Sequence, residues 1–541
     1  MSAEDDLDSL ERSVVDHRFE LQPSLAVGLG LHTYDGRLPD LSSTATERWA
    51  SKADDLLGRI EAVDPATLPT DRAIDRFLLR LLLEEPLFGL RESLDLDLNP
   101  MAYVGGVSLT SYLVRDYAPV ADRATSIVRI LEALPRLFQQ GRARLAGPLP
   151  RPFVELALSM GEGVGAHFAD AEAFAEPAGL GGAVAKARVP AEAALAEFLR
   201  WLREEMLPRA TADFALGPEK FQRLLFVREG IEAPFEEVRR AGEADLARNQ
   251  ARLAEVAKTM GADPNDLYVR MGEDHPAAGE VLATARTFVE ETRTFVATKG
   301  LVSIPEPARC RVEETPPYGR ATTTASMNPP GPFESKVPEG VYYVTLVDPG
   351  WTPDQRDEWL RSLNRPSLRN ITVHEVYPGH YLQFLHLRAT AGSLVRKVYH
   401  SPSFVEGWAH YTEQLAIEAG FHAGDPWAEV AQIHDALLRD CRLLSAIGLH
   451  TAHWSVDRST QLFETAAHLD PLPARREAMR GTFDPEYFCY TLGKLAILDA
   501  RRRVLAGRFR GDLRAFHDAV LGAGCPPIGL LDRILGDVTT D

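Results

Sequence analysis

Cysteine is scarce in this chain. Its 541 residues hold four, Cys310, Cys441, Cys489 and Cys525, with no CxxC pair among them. That spacing excludes a thiolate zinc finger and a thioredoxin-like redox pair, and a chain of this length needs no disulfide framework to fold. Lysine is also rare, at 8 of the 59 basic residues. Basic charge as a whole is outweighed by 78 acidic residues, for a net charge of −19. This disfavours a nucleic-acid binder, since phosphate binding needs a basic face, and leaves room only for a local basic pocket. No run of about 20 apolar residues occurs, which argues against a helical membrane span. The opening stretch MSAEDDLDSLERSVVD is acidic and has neither the basic start nor the apolar core of a secretory signal, so a cytoplasmic location is expected. There is no GxSxG elbow and no GxxxxGK[ST] string, which disfavours a serine hydrolase and a P-loop nucleotide site. Fixed-period repeats and low-complexity tracts are absent too.

What is present reads as a folded, mainly α-helical protein. Hydrophobic residues make up 45% and charged residues 25%, ordinary values for a globular chain. Apolar residues recur at three- and four-residue spacing over 45–64, 70–93, 121–146, 190–208 and 233–260, the period of an amphipathic helix. The segment 235–261 is the clearest, with its charges reading as a solvated face and Gly261 as a stop signal. The stretch 301–340 holds Pro305, Pro307, Pro316, Pro317, Pro329, Pro330, Pro332 and Pro338 together with Gly319, Gly331 and Gly340, a density that no long helix tolerates. It reads as a connection between an N-terminal helical half, 1–300, and a C-terminal half, 341–541. It leads into VYYVTLVD at 341–348, the best strand candidate, rich in β-branched and aromatic residues. Helical patterning resumes near Asp354.

The histidines are unevenly spread. Ten of the 15 fall between His374 and His468, where even spacing would place about three, and clustered His with Glu is a metal signature. The cluster opens with ITVHEVYPGHYLQFLH at 371–386, an HExxxxH pattern of His374, Glu375 and His380. The familiar zinc motif is HExxH, with its two His one turn apart on one helix face. Here the i+4 position is Pro378, which cannot ligate. In an undistorted helix, six residues turn by about 600° and put His380 about 240° away from His374. Pro378 and Gly379 supply the remedy, since a π-like or looped-out distortion brings both rings to one side. Downstream lies PSFVEGWAHYTEQL at 402–415, in which Glu406, His410 and Glu413 share a helix face. Two His and one carboxylate from the next helix form a common hydrolytic zinc set. Any of these three could ligate or orient the ligands from behind.

HEVYPGHYLQ, FVEGWAHYTEQL and then YTLGKLAIL at 490–498 resemble the bacterial family catalogued as domain of unknown function 885, over about residues 340–505. That family is similar in architecture to the mostly helical zinc peptidases of the angiotensin-converting-enzyme and oligopeptidase group. The resemblance implies a large two-lobed helical body, with a small β-sheet near 341–348 and a deep central channel. It implies a gluzincin-like site with one Zn2+ per chain on His374, His380 and Glu406, with Glu375 beside it as the general base. Arg442, His450 and Trp454 match the family's Arg…Gly-Leu-His…Trp pattern, and Tyr490, Gly493 and Lys494 its Tyr-x-x-Gly-Lys segment. From the resemblance, His450 or Tyr490 would stabilise the oxyanion, Lys494 would bind a substrate carboxylate, and Arg442 would bind a substrate carboxylate or an acid behind the ligands. The residues alone equally allow Arg442 a structural ion pair and Tyr490 a place in the core. His410 and Glu413 would stand behind the ligands. The strand at 341–348 would be an edge strand that pairs with extended substrate, or one strand of a small structural sheet. The expected activity is metallopeptidase cleavage of short unfolded peptides, with no nucleic-acid or membrane partner. The rival readings are a metal-dependent amidase or esterase on a non-peptide substrate, and a catalytically inactive helical binding protein.

Overall fold

The computed structural model describes residues 3–105, 107, 109–316, 320, 323–334, 339–390 and 392–536. It is 71% helical with one small three-stranded sheet, so the fold is mainly α. No helix among the described residues is long and apolar enough to cross a membrane.

The chain divides into two compact units. The first comprises residues 1–216, 330–338 and 393–398, the second 217–329, 339–392 and 399–541. Residues 217–300 thus group with the second unit, whereas the sequence places a connection at 301–340. Their attachment is hydrophobic, through a helix at 235–260 described below. Pro317, Gly319 and Pro338 of the Pro/Gly-rich stretch lie outside the described residues.

The main helices of the first unit are α1 (Ala3–Leu21), α2 (Ser43–Glu61), α3 (Thr70–Arg91), α4 (Val120–Arg144), α5 (Arg151–Ala175) and α6 (Gly181–Trp201). Helix α2 shows why such segments fold locally. Ser42 caps it by accepting from the Ala45 amide, which meets one of the orphan donors of the first turn. Trp49, Ala53, Leu56 and Ile60, spaced four, three and four apart, are its buried stripe.

The second unit is built on α7 (Phe235–Met260), α8 (Val281–Lys299), α9 (Pro353–Ser362), α10 (Arg365–Glu375), α11 (His380–Ala389), α12 (Pro402–Glu418), α13 (Pro426–Thr451), α14 (Pro471–Phe483), α15 (Cys489–Val504) and α16 (Leu513–Gly522). Leu253, Val256 and Ala257 of α7 join Val430, Ile433 and Leu437 of α13 in one core. The opposite face of α7 carries solvated pairs such as Arg239–Glu243, as its sequence implies. Val373 of α10, Ala416 of α12 and Phe295 of α8 meet in a second core around Phe421. Helices α12 and α15 cross at two glycines. A Cβ on Gly407 would lie 2.3 Å from the Gly493 Cα, and one on Gly493 would lie 1.7 Å from the Ser403 carbonyl oxygen. Helix propensity alone favours Gly493→Ala by about 1 kcal/mol. The contact reverses the sign, and a net loss of about 2 kcal/mol or more is expected from urea melts.

The sheet consists of β1 (Arg309–Glu314), β2 (Ala325–Asn328) and β3 (Glu339–Val344) in the order β1-β3-β2. β1 runs parallel to β3, with Cys310 opposite Gly340. β2 runs antiparallel to it, with Met327 opposite Tyr342. The strand expected from VYYVTLVD therefore forms, but as the central strand and not as an edge. The physical reason is visible in its residues. Val341, Tyr342, Tyr343 and Val344 are all buried, the continuous apolar run of a strand covered on both faces. β3 lies beside α10, where the Tyr342 hydroxyl is 3.4 Å from Thr372 Oγ1.

Candidate metal centre

The site begins with a break between two helices. Asn364 caps α10 by accepting from the Ser367 amide. The helix stops after Glu375, Val376–Gly379 form a bend with a cis Tyr377–Pro378 bond, and α11 starts at His380. The distortion is thus a looped-out bend. Gly379 is forced by space, since a Cβ there would sit 1.7 Å from the His374 carbonyl oxygen. Its amide donates to the Val373 carbonyl at 3.0 Å. Trp408 of α12 donates from its indole nitrogen to the Pro378 carbonyl at 2.9 Å, which ties the bend to the next helix. As a result the rings of His374 and His380 stand 4.7 Å apart, nearly perpendicular.

Glu406 completes the cluster from α12. Its Oε2 lies 3.5 Å from His374 Nε2 and 3.4 Å from His380 Nε2, and the three donor atoms all lie within 4.8 Å of one another. Donors held about 2.0–2.1 Å from a tetrahedral zinc ion sit about 3.4 Å apart. The residues present therefore fit a two-His, one-carboxylate zinc site.

Behind His374 stands a buried acid. His374 Nδ1 is 2.6 Å from Glu413 Oε1. The carboxylate can only accept, so Nδ1 carries a proton, and Nε2 is the nitrogen left to face Glu406 and any metal. Glu413 is fully buried and is held on its other oxygen by His410 Nδ1 at 3.2 Å and Arg439 Nη1 at 3.1 Å. Burial alone would raise its pKa, but Arg439, His410 and the hydrogen bond to His374 outweigh burial and hold it well below the usual range. Burial likewise opposes charge on His374, yet Glu406 and Glu413, one on each nitrogen, raise its pKa to about 9. Burial also resists ionisation of Glu406, and the two histidines reverse that and keep it ionised. An ion entering this site would therefore displace a proton from His374. Because proton and metal compete for one nitrogen, zinc affinity is expected to rise about tenfold per pH unit between about pH 6 and 9. Chelator competition across that range measures it, and a flat profile would contradict the assignment of that proton.

The remaining residues singled out from the sequence fall into two groups. Tyr490 lies near Glu406, and Glu375 follows His374 directly in the chain. Glu375 is half-buried, and its carboxylate makes no hydrogen bond or ion pair among the described residues. It faces the sheet closely enough to add to the burial that pushes the Cys310 thiol up to about 12. Tyr490 opens α15. Burial raises its phenol, and the Glu406 carboxylate raises it further, which keeps the hydroxyl protonated beside the ligands. The guanidiniums of Arg439 and Arg442 lie 5.6 and 5.1 Å from its ring centre.

Arg442, Lys494 and His450 are engaged elsewhere: Arg442 in the structural ion pair its sequence also allows, Lys494 and His450 in contacts other than those the resemblance implies. Arg442 makes a two-point ion pair with Glu477, both contacts at 2.9 Å, and Tyr487 also binds Glu477. Lys494 is 1% exposed and paired with Asp245 at 2.5 Å, and burial pulls its pKa down to about 8. It has no free face for a substrate carboxylate. His450 is buried, with Nε2 2.8 Å from the Gly481 carbonyl oxygen. It lies eleven residues beyond Arg439 on α13, about 16 Å along the axis, so it cannot serve as oxyanion donor at this cluster. The residue missed in the sequence is Arg439. The available signal was its place three residues before Arg442, on a neighbouring stripe of the same helix.

Fold and site together define a mainly α-helical protein with a His-His-Glu cluster of two buried imidazoles and one partly exposed carboxylate. The chain belongs to the family described as bacterial protein of unknown function (DUF885), whose model matches residues 23–535. Two solved structures share the fold. One, from Shewanella oneidensis, is described as a candidate lipoprotein of unknown function. It is 22% identical, the alignment covers 98% of each chain, and the TM-score is 0.81. The other, from Colwellia psychrerythraea, is described as a candidate lipoprotein. It is 18% identical over 99% of each chain, with a TM-score of 0.82. No curated protein matches the chain.

Proposed function

We propose that the protein is a zinc-dependent hydrolase that cleaves peptide bonds in short unfolded peptides, akin to the gluzincin peptidases. The observation that carries the reading is one oxygen of Glu406 placed 3.5 and 3.4 Å from the Nε2 atoms of His374 and His380, with Glu413 fixing the tautomer of His374. His374, His380 and Glu406 would hold the ion. Zinc bound there supplies Lewis acidity, which polarises a carbonyl and makes a water molecule more acidic. Glu375, next to a ligand and with an unengaged carboxylate, takes the proton of the attacking water and delivers it to the leaving amine. Tyr490 donates its phenol proton in a hydrogen bond to the oxyanion, a role worth about 3–4 kcal/mol.

A mixed peptide library, incubated with zinc-loaded and with chelator-stripped protein and read by mass spectrometry, tests the activity. New termini that depend on zinc support it. Zinc-dependent cleavage of amide or ester panels without peptide cleavage would move the reading to an amidase or esterase. No cleavage of any panel by zinc-loaded protein would favour the binding-protein reading. Cell fractionation decides the location. The four unpaired thiols suit a reducing cytoplasm, whereas the two solved neighbours carry the lipoprotein description.

A further inference from the structure

A histidine that ligates a metal through Nε2 carries its proton on Nδ1, and that proton needs an acceptor when the ring is buried. His374 has one in Glu413. His380 has none: its Nε2 faces Glu406, while its Nδ1 is buried and without a hydrogen-bond partner. Three residues further along α11 stands Gln383, which is 1% exposed. Its Oε1 is also buried and without a partner, and its Nε2 donates to the Phe404 carbonyl of α12 at 3.4 Å. A donor without an acceptor and an acceptor without a donor thus sit at i and i+3 of one helix, positions whose side chains are neighbours. Leaving both unmet in the interior is costly.

We infer that Gln383 is the positioning residue of His380: its Oε1 accepts the Nδ1–H of that ring, directly or through one buried water, when the site holds its metal. The same side chain then performs two tasks. Its oxygen fixes the tautomer and tilt of one ligand. Its nitrogen holds α12 two residues before Glu406, the other ligand from the neighbouring helix. The choice of an amide over a carboxylate follows from charge. Glu406 and Glu413 already bring two negative charges to the site, against one guanidinium on Glu413, and a neutral acceptor satisfies the second ring without burying a third. The HxxQ spacing of His380 and Gln383 thereby gains a physical reason.

This inference rests on the metal reading, and the experiment separates the two. Zinc dissociation constants are measured by chelator competition for the full-length wild type, Gln383→Leu and Gln383→Glu, with melting temperatures of the zinc-free proteins alongside. Wild type is expected to bind one zinc. Gln383→Leu is expected to bind it 10- to 100-fold more weakly, with a zinc-free melting temperature only a few degrees below that of wild type, from the lost bond to the Phe404 carbonyl. Gln383→Glu, which keeps the acceptor, is expected to restore the affinity. If wild type binds no zinc, the metal reading itself fails. If wild type binds zinc and Gln383→Leu binds it equally well, the metal reading stands and the role of Gln383 is overturned. Unchanged affinity beside a lower zinc-free melting temperature would leave Gln383 with the bond to the Phe404 carbonyl alone, and also overturns it. Should the Leu variant not fold, Gln383→Met, similar in length but without the oxygen acceptor, takes its place.

Discussion

Glu375→Gln is expected to lower peptide turnover by about 10²- to 10⁴-fold while leaving zinc affinity within about twofold of wild type. The substitution keeps the shape of the side chain and removes only its ability to take a proton. Two observations support so clean a separation. Glu375 follows a ligand directly in the chain, and its carboxylate has no hydrogen-bonded partner among the described residues whose loss would unsettle the fold. The residues that could hold the ion are His374, His380 and Glu406, so on the proposed reading affinity has no reason to change. Steady-state cleavage of the best library peptide, beside a chelator competition, measures both. A turnover loss below tenfold would show that another group serves as the base.

The second large effect is at Glu413. Glu413→Ala removes the acceptor of His374 Nδ1–H and strips the buried Arg439 of its closest carboxylate. Breaking a buried charge pair from one side costs about 3–5 kcal/mol, and loss of an outer partner lowers metal affinity about 10- to 100-fold. Urea melts of the zinc-free protein read the first effect and chelator competition reads the second. Glu413→Gln retains an acceptor and is expected to lose less of both. A Glu413→Ala protein within about 1 kcal/mol of wild type would contradict the buried pairing.

How much of this is legible in the sequence differs from residue to residue. His374, His380 and Glu406 could be named because the HExxxxH string and the Glu-bearing helix downstream match the family resemblance, although six residues of undistorted helix would hold the two rings apart. The bend at Val376–Gly379 could be anticipated because Pro378 cannot continue a helix. What spacing cannot convey is which way a polar side chain faces once helices pack. Lys494 and Tyr490 are four residues apart on one helix, yet the phenol comes to the ligands and the ammonium pairs with Asp245 of α7. Arg439 and Arg442 are three apart, and only the crossing of α13 with α12 gives Arg439 to Glu413. Strand order is a similar case. The run at 341–344 announces a buried strand, but its central position depends on pairing with segments about 15 and 30 residues upstream, whose own strand signals are weak. Residues 217–300 read as part of an N-terminal half because the prolines of 301–340 interrupt helix. The core between α7 and α13, a contact between segments far apart in sequence, joins them to the other unit instead.

The most direct measurement is the metal content of the purified full-length protein by mass spectrometry, after dialysis against limiting zinc, beside His374→Ala and Glu406→Ala. The geometry of Glu406 between the two imidazoles predicts about one zinc per wild-type chain and less than about a tenth of that in either variant. Wild type that takes up no zinc, or variants that hold as much as wild type, would contradict the assignment and leave the histidine cluster as part of the core alone.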